Sequence, residues 1–234
     1  MLASPAVRLL LAPVLLAQAV GVRRRALILP EAAGARSGVA GQGPLLRLLI
    51  AGDSSAAGVG VADQAQALAG QLVAALSTGF TVHWRLEART GATTAQTLDH
   101  LRALPVEPFD VAVTALGVND LTRQRPVARF RTEQVALAAL LRSRFDVRDH
   151  WRSGLPPMHR FPLLPRPLRD VLGAQARAYD RVLAQTSQDG LHHLPFDETR
   201  LDPAMMAADG FHPGAPVYAA WAQELAAAIR HARD

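Results

Sequence analysis

Hydrophobic and polar positions divide the chain into three regimes. Over residues 9–22 nearly every position is apolar, bracketed by Arg8 and by Arg23, Arg24 and Arg25. Residues 32–44 are rich in Gly, Ala and Ser with no visible period, which reads as a linker. From Leu45 onward, short apolar runs alternate with stretches of helical spacing. Residues 45–51 form an apolar run broken only by Arg47, as in a strand buried on both faces. Residues 80–88 alternate like a strand, and residues 111–116 form a second short buried run. Residues 147–151 predict a fourth strand, interrupted by Arg148 and Asp149, with Arg152 just beyond. Helical spacing covers residues 64–76, 94–104, 127–144, 166–185 and 215–230. Strands alternating with helices predict an α/β fold, a three-layer α/β/α sandwich around a mostly parallel sheet.

Length and composition fit this pattern. The 234 residues, half of them hydrophobic, suffice for one core-forming domain, expected over residues 45–234 after an N-terminal segment and linker, 1–44. The chain has no cysteine, which excludes disulfides, thiolate metal sites and a cysteine nucleophile. All 25 basic residues are arginine. The absence of lysine excludes a lysine-dependent phosphate loop and Schiff-base chemistry. The net charge of +5 is spread along the chain, which argues against a nucleic-acid partner. The Ala- and Arg-rich composition suggests a GC-rich bacterial source. The apolar stretch at residues 9–22 is short for a spanning helix. It reads as a membrane-surface or anchoring helix with arginines at the headgroups, as a signal segment with a small-x-small site at Ala17-Gln18-Ala19, or as a helix packed on the domain. The expected location is the bacterial cytoplasm or inner-membrane surface, with export open.

In parallel sheets, sites form where strands end and helices begin. The first strand here ends in Gly52-Asp53-Ser54-Ser55, a small-residue turn that holds a serine away from the core. The second ends in Thr90-Gly91-Ala92, and the third in Gly117-Val118-Asn119-Asp120. Asp209-Gly210-Phe211-His212 precedes the last helix. Singly, each motif is an ordinary turn, cap or surface pair. Together they fall on one edge of one sheet and supply a nucleophile, a base with an orienting carboxylate, and oxyanion donors. Ser55 competes with Ser54 as nucleophile, and Asp53 is expected to hydrogen-bond the turn. The adjacent His192 and His193 invite a metal reading. Neighbours in a strand point apart and no ligand-spaced carboxylate accompanies them, so no metal or cofactor is expected.

The four motifs, in this order, resemble the SGNH (GDSL-like) serine hydrolases over about 190 residues from Leu45 onward. The resemblance implies a flavodoxin-like sheet and cleavage of carboxylic esters through an acyl-serine. It implies Ser54, Asp209 and His212 as the catalytic triad, with the Ser54 and Gly91 N–H groups and the Asn119 amide as the oxyanion hole. Esterase, lipase, thioesterase and carbohydrate O-deacetylase activities all fall within that chemistry. A small ester or lipid-like substrate is the expected partner. Residues 154–157 also resemble the loop after the fourth strand in some members. The apolar, proline-rich residues 154–168 predict an acyl-chain wall, with Pro157, Phe161 and Leu164 as candidates. Outside this family, a flavin- or nucleotide-binding module of flavodoxin-like architecture, a receiver domain phosphorylated on Asp53 and a silent acyl- or glycan-binding domain remain open.

Overall fold

A computed structural model of the chain describes residues 5–198 and 202–233. Among them the order is α1 (Pro5–Arg25), β1 (Ser37–Ala40), β2 (Leu45–Gly52), α2 (Leu68–Leu76), β3 (Thr81–Ala88), α3 (Thr94–Ala103), β4 (Val111–Ala115), α4 (Val118–Thr122), α5 (Val127–Phe145), β5 (Asp149–Ser153), α6 (Leu168–Gln185), β6 (Leu191–Leu194) and α7 (Ala215–His231). The strands form one sheet in the order β1-β3-β2-β4-β5-β6. All neighbours are parallel except β1, which runs antiparallel on the β3 edge. Without β1 the order is that of flavodoxin-like sheets, as anticipated.

Two apolar layers hold helices against the sheet. Leu48, Ile50, Val82 and Val113 pack against Leu72 of α2 and Leu225 of α7. On the other face Leu49, Ala51 and Ala112 meet Leu98 of α3 and Leu137 of α5. The alternation along β2 explains the continuous apolar run, since both faces are covered. A third cluster joins Phe130 of α5 and Tyr179 of α6 to Leu155, Phe161 and Leu164, in the loop after β5. The chain reverses direction across the sheet between β2 and β4, whose carboxyl ends flank the switch point where such folds bind ligands.

Three sequence expectations need correction. The stretch read as linker contains β1, paired with β3 from Ser37↔Arg85 to Ala40↔Val82. Just before it, Ala32 is buried and exchanges hydrogen bonds with the Ala57 carbonyl and the Gln64 side chain. The sheet thus takes in residues before 45. The fourth strand is shifted two residues, to Asp149–Ser153, because its charges are satisfied inside the fold. Asp149 pairs with His192 at 3.0 Å. The buried Arg152 guanidinium donates to Thr186 Oγ1, the Leu183 carbonyl and Ser187 Oγ. Finally, β6 is formed by the histidine pair itself. His192 and His193 do point apart, but each has a carboxylate: Asp149 for one and Asp180, at 2.9 Å, for the other. Those partners are distant in sequence, so short spacing could not reveal them.

Candidate active site

The serine turn grows directly out of β2. Gly52 has no room for a side chain: a Cβ there would lie 2.5 Å from the Ala115 carbonyl oxygen and 2.7 Å from Ala56 Cβ. The Asp53 N–H extends the ladder to the Ala115 oxygen at 3.2 Å. Asp53 is buried under the turn, and its Oδ1 accepts from both Ser55 N–H (3.0 Å) and Ser55 Oγ (2.8 Å). The Ser55 hydroxyl is therefore committed to Asp53. Burial raises the Asp53 carboxyl above the ordinary aspartate range, against the lowering effect of the Ser55 bonds and of His212.

Ser54 faces the approach to α7. Its Oγ lies 2.9 Å from His212 Nε2. His212 Nδ1 lies 2.5 Å from Asp209 Oδ2. Asp209 Oδ1 accepts the Phe211 and His212 N–H groups, each at 2.9 Å, so the Asp-x-x-His spacing closes a tight turn around one carboxylate. Burial alone would raise the Asp209 carboxyl. The hydrogen bonds from the His212 ring and from the two turn N–H groups outweigh it and hold the group below the ordinary range. The ionised carboxylate in turn keeps a proton on Nδ1 and leaves Nε2 free to accept from Ser54.

Two contacts fix the two halves of this array in register. The Ser54 carbonyl accepts from Val59 N–H at 3.0 Å. The buried Tyr218, in the first turn of α7, donates its hydroxyl to the Val59 carbonyl at 2.7 Å. Burial pushes the Tyr218 phenol up, so it stays a donor.

Gly91 and Asn119 stand at the neighbouring strand ends. Among the described residues, neither the Ser54 nor the Gly91 N–H has an acceptor within the fold. Gly91 sits at φ +77°, a left-handed conformation that glycine adopts without strain. Asn119 Nδ2 donates to Asp53 Oδ2 at 3.2 Å and to the Ala92 carbonyl at 3.1 Å, which aligns its amide over the serine turn. Asp120 turns inward, where Oδ2 accepts Thr94 N–H and Oγ1 at the start of α3.

A hydroxyl, imidazole and carboxylate in hydrogen-bonded series, beside unspent N–H donors, can generate a nucleophile and receive a developing oxyanion. The sequence model of the GDSL-like lipase/acylhydrolase family matches residues 50–220, which include the whole array. The chain belongs to this family. Among relatives, the GDSL-like esterase Rv1075c of Mycobacterium tuberculosis is 31% identical over 201 residues, covering 80% of this chain and 62% of the relative. The chain thus spans less than two thirds of that relative's length. The solved structure of TesA superposes with a TM-score of 0.61 at 25% identity, covering 79% of this chain and 98% of TesA. Est24, a carbohydrate acetylesterase from Sinorhizobium meliloti, gives a TM-score of 0.60 at 14% identity, covering 80% and 99% of the two chains, a likeness of fold.

In this GDSL-like chain the serine opens into an apolar cleft. Leu155, Phe161, Phe196, Phe211, Val217 and Trp221 are among its walls. Phe211 connects wall and triad, edge-on to Phe161 (5.2 Å between centroids) and to the His212 ring (5.3 Å). Of the three predicted wall residues, only Phe161 lines the cleft. Pro157 and Leu164 are buried behind it, Leu164 within the cluster against α6, because the turn at Met158–Arg160 spaces the buried Met158, Phe161 and Leu164 three residues apart. Pro156 takes the place assigned to Pro157. Leu155 is set by its N–H bond to Asp180 Oδ1 at 3.0 Å. Tyr218 and Trp221 carry no signal in the sequence because in a closing helix they read as core, and Phe211 because it reads only as a spacer between Asp209 and His212. Glu31, just ahead of the stretch that reads as a linker, belongs to no local motif, so the sequence does not mark it. Its Oε1 accepts Thr90 N–H at 2.7 Å and Thr90 Oγ1 at 2.8 Å, beside Gly91. Among the described residues, no cluster of three His, Asp or Glu side chains could hold a metal ion.

Proposed function

We propose that the protein hydrolyses carboxylic esters with lipophilic acyl chains through an acyl-serine intermediate. The observation that carries this reading is the Ser54–His212–Asp209 series, at 2.9 and 2.5 Å, opening into a cleft walled by aromatic and aliphatic side chains. Family membership supports the reaction class. In the first step Ser54 Oγ attacks the ester carbonyl while its proton passes to His212 Nε2, and Asp209 stabilises the resulting imidazolium. The carbonyl oxygen becomes an oxyanion, received by the Ser54 and Gly91 N–H groups and by the Asn119 amide once a bond to Asp53 or Ala92 is shared. The intermediate collapses, the alcohol leaves with the proton from His212, and the acyl chain stays on Ser54. Water then attacks the acyl-serine, giving its proton to His212; the acyl–Oγ bond breaks, the carboxylic acid leaves, and Ser54 Oγ takes the proton back from His212. The apolar walls select the acyl side, since burying a methylene is worth about 0.8 kcal/mol and burying an unpaired sugar hydroxyl is costly.

A turnover panel of p-nitrophenyl esters of increasing chain length, acyl-CoAs and acetylated sugars tests this. Wild type should favour acyl esters longer than acetate, and Ser54→Ala should lose turnover by orders of magnitude while remaining folded. Equal turnover in Ser54→Ala, or a preference for acetylated sugars, would contradict the reading.

A further inference from the structure

The outward surface of α1 is inverted with respect to that of a water-facing helix. Over residues 9–22 the one polar side chain is Gln18. Gln18 is turned toward the protein, where Nε2 donates to the Arg166 carbonyl at 2.6 Å and Oε1 accepts the Leu168 N–H at 3.0 Å. Leu15 and Val22, on the same side, pack against the cluster behind the cleft wall. The outward side chains are apolar: Leu9 is 79% exposed, Leu10 81% and Leu16 67%. A helix that spends its polar group inward and presents leucines outward is built for a medium other than water.

The charge pattern says which medium. Arg23, Arg24 and Arg25 are exposed at the end of α1, and among the described residues none pairs with a carboxylate. No acidic residue precedes Glu31 in the chain. Unpaired arginines beside an apolar surface complement anionic headgroups above acyl chains. Among the described residues, no helix is long and apolar enough to cross a membrane. The 14 apolar-patterned residues of α1 would reach about 21 Å, short of a bilayer core of about 30 Å.

The helix also leads to the active site. After α1 the chain continues through Leu27 and Ile28, exposed by 57% and 98%, to Glu31 on Thr90, beside Gly91. The exposed apolar surface of α1 therefore continues past the helix end to Leu27 and Ile28.

We infer that α1 with Leu27 and Ile28 docks the protein in-plane on an anionic lipid surface. That it thereby delivers a lipid-borne ester rests on the function proposed above; the docking does not. The test uses the full chain with Ser54→Ala, so that binding and hydrolysis are read separately. Sedimentation is compared between vesicles of phosphatidylglycerol with phosphatidylcholine and vesicles of phosphatidylcholine alone. Binding should favour the anionic vesicles by about 100-fold at low salt, about fivefold per arginine. Arg23→Gln with Arg24→Gln and Arg25→Gln should abolish the preference, and Leu9→Asp with Leu16→Asp should abolish binding. In the Ser54 background both variants should hydrolyse a short soluble ester at the wild-type rate, which shows that they fold. Tryptophan in Ile28→Trp should be quenched by brominated acyl chains, reporting residue 28 at the lipid. Four results would each overturn the proposal: equal binding to both vesicle types, binding unchanged in either variant, unquenched Ile28→Trp, or self-association without vesicle binding. Recovery from cells of a chain beginning after Ala19 would overturn it as well.

Discussion

Asp209 has two separable duties, and two substitutions distinguish them. Its Oδ1 accepts the Phe211 and His212 N–H groups, and its Oδ2 faces His212 Nδ1. In Asp209→Asn the remaining carbonyl oxygen can keep both turn bonds. The new NH2 then faces Nδ1, which must become an acceptor, and the proton moves to Nε2. Ser54 Oγ, 2.9 Å away, loses its base without any atom moving far. The same tautomer error in a serine triad costs about 10⁴ in kcat, about 5 kcal/mol of transition-state stabilisation. In Asp209→Ala the two turn N–H groups are also orphaned, at about 1–3 kcal/mol each, so about 2–6 kcal/mol of folding stability should go as well. Kinetics on a soluble p-nitrophenyl ester and denaturant unfolding of both variants give the comparison. Asp209→Asn should lose about 10⁴ in kcat with stability near wild type, and Asp209→Ala should lose both. If Asp209→Asn retains more than about a tenth of wild-type kcat, the tautomer argument is wrong.

Asn119→Ala should lower kcat by about 10²–10³ with little change in KM, since the proposed mechanism uses its amide as a donor in the transition state; a change confined to KM would reassign Asn119 to substrate binding. Phe161→Leu should shift the ratio of long- to short-acyl turnover severalfold toward long chains, whereas Leu164→Ala, behind the wall, should cost stability and leave the ratio alone; the reverse pattern would misplace the acyl pocket. His150 is buried against Thr114, and burial, then Arg152 and His192, hold its pKa down to about 3. Below about pH 6.5 the unfolded chain therefore takes up a proton that the folded chain refuses, and stability falls by about 1.4 kcal/mol per pH unit. Denaturant unfolding between about pH 6.5 and pH 4.5 should show a loss of about 2 kcal/mol, reduced in His150→Gln; parallel slopes would mean that His150 is protonated in the folded protein.

The site was more legible in the sequence than some of the strands were. Each site motif is local and tied to a strand end or a helix approach, so Ser54, Gly91, Asn119, Asp209 and His212 could be located once 45–51 and 111–116 read as buried strands. The structure brings them to one sheet edge as expected. What escaped depends on partners far along the chain. A strand carrying Asp149 and Arg152 looks polar until His192 and the end of α6 are placed beside it. The pair His192 and His193 conceals β6 for the same reason. The short β1 has no hydrophobic period because, as an edge strand, it is mostly exposed, and its identity comes from pairing with β3. Loop direction was equally invisible: composition marked 154–168 as apolar but could not tell that Phe161 faces the cleft while Leu164 faces α6.

The central claim is that one hydroxyl, Ser54 Oγ, becomes covalently acylated. The most direct measurement is mass spectrometry of the intact protein and its peptides after reaction with a fluorophosphonate. The account predicts one adduct, on Ser54, absent from Ser54→Ala, abolished by His212→Ala and unaffected by Ser55→Ala. An adduct on Ser55, or a native protein that hydrolyses esters yet resists labelling, would contradict it.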